Sequence, residues 1–321
     1  MQPLKSWKIC SRRLRLVTLQ NYRLHGAYFI HFYRWGASLE GFSHGVLLEG
    51  RLPAVSSNLQ KFALLKAVRR VWAIPSIHAE VQNLERLHQE LGPRLEEGDK
   101  LVYLGNMIGH GAKTRETLDE ILLFRREFLS LPNCFACDVA YLRGSQEEIW
   151  QKLLQLQFAT DPQGVFQWML ENGVGANLKS YGMDPEEGLR EARTGPMQLT
   201  RWTGKVRRAI QAHPGHYELM GTLKRAARSD DGSLLFVNAG IDPGRPIETQ
   251  KDSFWWVSGL FSRINEPYSG YKKIIRGFGP DHPGLVLERY TATIDAGCGF
   301  GGPLLAACFD VDGEIIDKIE C

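Results

Sequence analysis

Three short stretches of the chain concentrate polar side chains of the kinds that do chemistry. Pro75-Ser76-Ile77-His78 offers an imidazole. Gly105-Asn106-Met107-Ile108-Gly109-His110-Gly111 offers an amide and a second imidazole. Arg143-Gly144-Ser145-Gln146-Glu147 offers a cation, a hydroxyl, an amide and a carboxylate. His110 and Glu147 are of the types that form an acid/base pair, but no nucleophile accompanies them. Arg143 is equally suited to clamping an anion and to pairing with a carboxylate. Asp281-His282 carries another imidazole that a loop could return to the same place. His78 reads either as a metal ligand or as a satisfied loop histidine. Cys134-Phe-Ala-Cys137 has the spacing of a redox or zinc half-site, yet no second Cys pair or His pair stands at zinc-ligand spacing. The six cysteines, at 10, 134, 137, 298, 308 and 321, therefore read as packing residues in a reducing compartment. Trp255-Trp256 reads as core packing rather than a base-stacking platform.

These stretches need elements that bring them together. Arg70-Val-Trp-Ala-Ile74 reads as a buried strand stopped by Pro75, and Val81, Leu84, Leu87 and Leu91 fall at helical spacing behind it. Lys100–Leu104 is a second strand, 114–129 an amphipathic helix with Thr114 at its cap, and Cys137–Leu142 a third strand. Strand–helix alternation predicts parallel βαβ units, whose ligands sit beyond the carboxyl ends of the strands. The loops at 75–80, 105–111 and 143–147 should therefore converge. A helical middle over about 146–228 follows. Strands are expected at Leu234–Asn238, Lys273–Ile275, Leu285–Tyr290 and Thr293–Gly297, then a hairpin 304–310/314–319 turned at Asp312-Gly313.

At these loops the chain resembles the bacterial serine/threonine phosphatase-like branch of the metallophosphoesterase (calcineurin-like) superfamily. That family's signature is G-D-x-H-G, G-D-x-x-D-R-G, G-N-H-E and two later His residues. The framework carrying the resemblance is Tyr103-Leu-Gly-Asn106, Tyr141-Leu-Arg-Gly-Ser145, Leu235–Pro243 and Asp295-Ala-Gly-Cys-Gly-Phe-Gly-Gly-Pro-Leu304, spread over residues 71–321. The resemblance implies an α/β fold, a four-layer α/β/β/α sandwich, and a phosphoesterase site built on two divalent metals of the Mn/Fe/Zn type. Two dications about 4 Å apart repel by roughly 15 kcal/mol even at an effective dielectric near 20. Carboxylate ligands must offset that repulsion.

Mapped onto this sequence, the carboxylates are gone. The first Asp ligand falls on Ser76, and the His ligand is kept as His78. The bridging Asp falls on Asn106, the Asp that would orient the catalytic His on Gly109, and the phosphate-binding Arg on His110. The Asn ligand falls on Ser145 and the general-acid His on Gln146. The last two His ligands fall on Asn238 and Phe278. The resemblance thus leaves His78 as the retained ligand and no catalytic residue, with no cofactor expected. It implies a pseudophosphatase that acts by binding a protein partner, a phosphorylated peptide or a nucleotide. A neutral-to-basic cleft could hold an anion through Arg143, His110, Asn106 and Asn238. The alternative is a remodelled phosphoesterase with one metal or none and residual hydrolase activity.

Charge divides the chain elsewhere. Twelve of its 39 Lys/Arg but two of its 36 Asp/Glu fall in residues 1–70, which are also aromatic, as in Tyr28-Phe-Ile-His-Phe-Tyr33. A basic N-terminal extension over 1–70, partly disordered, followed by a domain over 71–321, is the expected division. The extension is open to three readings: a poorly ordered tail, an organelle-targeting segment, or an arm that binds nucleic acid or an anionic membrane surface. No apolar run reaches the roughly 20 residues of a membrane span and no secretory signal is evident, so a cytoplasmic protein is expected.

Overall fold

Trp72 and Ile74 point one way from their strand, and Val71 and Ala73 the other; all four are fully buried. That period of two, with no solvent face, is how a strand reads when both sides of its sheet are covered. In the computed structural model, residues 61–256 and 259–321 are described; the basic segment 1–60, and the arm and targeting readings attached to it, lie outside the described residues. The strand is β2 (Arg70–Ile74). It pairs in parallel with β3 (Lys100–Tyr103), and β3 with β4 (Val139–Tyr141). The hairpin of β10 (Leu305–Asp310) and β11 (Ile315–Glu320) adds antiparallel to the other side of β2. This gives a five-stranded sheet in the order β11-β10-β2-β3-β4.

A second sheet has six strands in the order β1-β5-β6-β7-β9-β8: β1 (Phe62–Leu65), β5 (Ala226–Ser229), β6 (Leu234–Val237), β7 (Lys273–Arg276), β8 (Gly284–Leu287) and β9 (Thr291–Asp295). Val71, Ala73, Val102, Ala140 and Phe309 of the first sheet meet Leu65, Leu234, Phe236, Ile275 and Ile294 of the second in one apolar layer. Alternate residues face outward. Trp72, Leu101, Tyr103 and Tyr141 pack under α1 (Val81–Leu91), α2 (Thr114–Ser130) and α3 (Ser145–Leu153). This core continues through α4 (Pro162–Met169), α5 (Gly175–Ser180), α6 (Pro185–Thr194), α7 (Pro196–Gln211) and α8 (His216–Thr222). Leu235, Val237 and Ile274 pack outward under 3-10 turns at Ile247–Thr249, Asp252–Phe254 and Phe261–Arg263, with Trp255, Tyr268 and Tyr271. Four layers result, as expected, with the outer shell of the six-stranded sheet made of turns and aromatic side chains.

Four local expectations differ from the structure. The sheet begins at Phe62, inside the stretch assigned to the basic extension: β1 pairs in parallel with β5 and buries Leu65 between the sheets. Ala226–Ser229, at the edge of the helical middle, is strand β5, held between β1 and β6. Thr114 lies inside the first turn of α2 rather than capping it; its hydroxyl donates to Asn177 Oδ1 at 2.7 Å. The strand expected over 285–290 ends at Leu287, after which the chain turns into β9 with Glu288 N donating to Thr291 O.

Candidate functional site

The loops following β2, β3, β4, β6 and β7 meet at one end of the sandwich, and backbone hydrogen bonds knit them. Ile77 N and His78 N both donate to Asn106 O, and Ala79 N to Met107 O. Ser76 N donates to Gly277 O, while Gly277 N and Phe278 N donate to Asn238 O. The Asn106 side chain ties in the third loop: its Oδ1 accepts from Ser145 Oγ at 3.2 Å and Gln146 N at 3.1 Å, and its Nδ2 donates to Ser76 Oγ at 3.2 Å. All six positions to which the resemblance would assign a ligand, Ser76, His78, Asn106, Ser145, Asn238 and Phe278, therefore lie in this one cluster of loops. Five of the eight non-glycine residues with positive φ among the described residues also belong to these loops: His78, Ala79, Asn106, His110 and His282. Such backbone costs on the order of 1 kcal/mol or more per residue and concentrates at sites whose loops are tightly determined.

His78 forms the floor, 1% exposed, with neither ring nitrogen in a hydrogen bond. Burial, then the neighbouring His110 and His282, brings its pKa down from 6.5 to about 3; the backbone of Ile108 offsets this only in part. The imidazole is neutral at physiological pH. Phe300, in the turn between β9 and β10, stands at the centre of three imidazoles, with ring centroids 5.1 Å from His78, 4.8 Å from His110 and 4.5 Å from His282. Phe278 adds an edge contact to His78 at 5.9 Å. The floor is thus covered by rings. Gly299, at φ +87, stands where any Cβ would strike the His78 Cβ, so a glycine there is what lets this turn close over the imidazole.

The two buried acids of the cleft are both committed. Glu147, 2% exposed, accepts four backbone N–H bonds: from Gly144 and Asn106 at Oε2, 2.8 and 2.9 Å, and from Met107 and Ile108 at Oε1, 2.7 and 3.3 Å. Burial pushes its carboxyl up and these donors oppose the shift. Asp295, 1% exposed, accepts from Gly279 N and Gly297 N and pairs with His282 Nδ1 at 2.8 Å. His282 does return to the site, as its loop allowed.

Several expectations for single residues are corrected here. Glu147 does not pair with His110; it caps the start of α3, and His110 lies 3.2 Å from Gln146 Nε2 instead. The anion set does not form. Arg143 pairs with Glu148 at 2.9 Å and lies over the Trp255 ring. Asn106 has both ends bonded. Asn238 donates an amide N–H to Leu104 O at 2.7 Å and leaves its Oδ1, an acceptor unsuited to an anion, unpartnered. Burial and the facing His282 lower the pKa of His110, which disfavours a cation there. Trp255 is buried in the core, whereas Trp256 is 37% exposed. Cys134 and Cys137 are free thiols, one buried and one exposed.

A pair of divalent cations does not fit these residues. The remaining free donors are neutral: the His78 ring nitrogens, Asn238 Oδ1 and Gln146 Oε1. None of the described residues form a group of three His, Cys, Asp or Glu with the geometry to hold a metal. No uncommitted carboxylate faces His78, so nothing offsets the cation–cation repulsion. Phe300 and Glu147 were the roles the sequence reading missed. The signal for Phe300 was an aromatic residue set among glycines with positive φ; that for Glu147 was an acid at the third position of a helix, where it reaches back to the N-terminal N–H groups.

No family model matches the sequence, and no curated protein matches it. Solved structures do match. A cold-active protein tyrosine phosphatase is 12% identical, over 83% of this chain and 83% of that one, with a TM-score of 0.48. A protein serine/threonine phosphatase from Saccharomyces cerevisiae is 12% identical over 81% and 82%, with a TM-score of 0.45. A metallophosphoesterase from Sphaerobacter thermophilus is 15% identical over 79% and 88%, with a TM-score of 0.41.

Proposed function

We propose that this chain is a metallophosphoesterase-fold protein, of the serine/threonine phosphatase-like kind, that acts by binding and not by hydrolysis. One observation carries the reading: both buried carboxylates of the cleft, Glu147 and Asp295, are consumed by backbone N–H groups or by His282, and the former bridging position is an amide bonded at both ends. Hydrolysis by the family route needs metal-bound water and a charge-compensated metal pair. Neither has residues to stand on here. The order of the loop motifs along the sequence and the two-sheet sandwich support the family assignment. The function is then recognition of a partner, which the intact, tightly hydrogen-bonded fold is fit to perform.

Purified protein is expected to leave p-nitrophenyl phosphate unhydrolysed with Mn²⁺ present, and to show no saturable Mn²⁺ binding by calorimetry. Turnover that disappears in His78→Ala would overturn the proposal. The remodelled hydrolase has one observation in its favour, the His282–Asp295 pair, which has the form of a carboxylate-oriented base. The nearest thiol does not serve it. Cys298 is buried, donates to Ile77 O, and has its pKa pushed up to about 12 by burial.

A further inference from the structure

Away from the cleft, four of the eleven exposed large apolar side chains among the described residues gather at one place: Phe158 at 81% exposure, Trp168 at 44%, Trp256 at 37% and Val165 at 36%. They border an open groove of about 390 Å³ floored by Ile149, Leu156 and Met169. The walls come from separate parts of the chain: α3, the turn at Leu156–Phe158, α4, and the stretch carrying Asp252 and Trp256. The Trp168 and Trp256 rings, brought from either side, stand 6.2 Å apart at an interplanar angle of 59°. Clustered exposed aromatic residues around a preformed groove mark an interaction surface, because tryptophan pockets supply a large share of binding energy in protein recognition.

Charge narrows the partner. Three charged residues line the groove: Glu148, Lys152 and Asp252. Glu148 is compensated by Arg143 at 2.9 Å and by Lys152 at 3.6 Å. Asp252 is exposed and in no ion pair among the described residues. These charges balance in number, with two cations on Glu148, but Asp252 is the groove carboxylate without an ion-pair partner among the described residues, and it stands beside two indole rings that also favour a cation through their faces.

We propose that this groove docks a short segment of a partner protein with two apolar anchor side chains and a Lys or Arg placed to meet Asp252. The site does not depend on whether the cleft turns over a phosphoester.

The test is selection of random 12-residue peptides on the full chain, followed by polarisation titrations with the fluorescein-labelled winners. Enriched peptides should combine paired aromatic or aliphatic residues with a basic one. Trp168→Ala should weaken them at least tenfold and Asp252→Lys several-fold, while Phe300→Ala in the cleft leaves them unchanged. Phe158→Ala, at a side chain too exposed to affect folding, should also weaken them if the groove is the site. Peptides indifferent to all three groove changes, or no enrichment at all, would overturn the proposal. So would a dimer abolished by Trp168→Ala in light scattering, which makes the occupant a second copy. Co-sedimentation with phosphatidylcholine/phosphatidylserine vesicles, lost in the same variant, would overturn it too, by making the occupant a membrane.

Discussion

Gly109 faces Gln146 so closely that a Cβ at 109 would fall inside the Gln146 side-chain amide, and Gly109 sits at φ +91, where side chains are strained in any case. The resemblance drawn from the sequence would place Asp and His at these two positions. The geometry makes them a unit: the Gln146 amide occupies the space that an aspartate side chain at position 109 would need, and meets His110 on its far side. An aspartate cannot return at 109 alone without collision.

Gly109→Asp is therefore expected to destabilise the protein by about 2–3 kcal/mol, from left-handed backbone strain and displacement of a buried amide. The double variant Gly109→Asp/Gln146→His should recover about 1 kcal/mol of that loss. The readout is the coupling term of a double-mutant cycle in urea unfolding. Strict additivity of the two changes would show that the positions do not interact.

Glu147 is expected to matter more than any other cleft side chain for stability. Glu147→Ala strands four backbone N–H groups beneath α3, at a cost of roughly 1–3 kcal/mol for each one that water does not reach. Glu147→Gln keeps the shape but turns one acceptor into a donor against a donor, and should cost less. Thermal melts of the three proteins should rank wild type above Gln above Ala. Equal melting points for wild type and Ala would mean that the N–H groups find other partners.

The acid limb of stability should carry the signature of His78. An unfolded chain protonates this imidazole below about pH 6.5, whereas the folded pKa is about 3. Stability from His78 is thus complete above the unfolded value and is lost as pH falls from there toward the folded one, by up to about 1.4 kcal/mol per pH unit. His78→Asn tolerates the left-handed backbone at φ 52 and removes the titration. Urea midpoints at pH 7, 6 and 5 should fall less steeply in this variant. Parallel slopes in the two proteins would remove His78 as the source.

Much of this site was legible because strands buried on both faces advertise themselves. Arg70–Ile74, Lys100–Leu104 and Leu234–Asn238 are largely apolar runs, and the loops at their ends follow. Phe62–Leu65 was hidden because four residues between Lys61 and Lys66 carry no period, and they become a strand only through pairing with β5. Residue types told where the resemblance would place ligands, but not what the side chains now at those positions touch. That Arg143 meets Glu148, that Glu147 turns inward to backbone, and that Phe300 caps three imidazoles are all long-range or rotameric outcomes. Side-chain identity alone leaves each of them open.

If negative charge is what the cleft lacks, restoring it should restore metal affinity before any catalysis. Ser76→Asp/Asn106→Asp places two carboxylates in the loops that surround His78, two positions already linked through the Asn106 Nδ2–Ser76 Oγ bond. Without metal, these buried charges repel each other and should lower the melting temperature by several degrees, since an unpaired buried charge costs several kcal/mol. With Mn²⁺, His78 and two carboxylates form a three-donor site for one ion. Binding at 100 times Kd then contributes about 2.7 kcal/mol, which in a domain of this size raises the melting temperature by roughly 5 °C. Wild type under the same titration should not move. A wild-type shift as large as that of the double variant would mean that neutral donors around His78 already suffice, and that the loss of carboxylates is not what separates this cleft from a metal site.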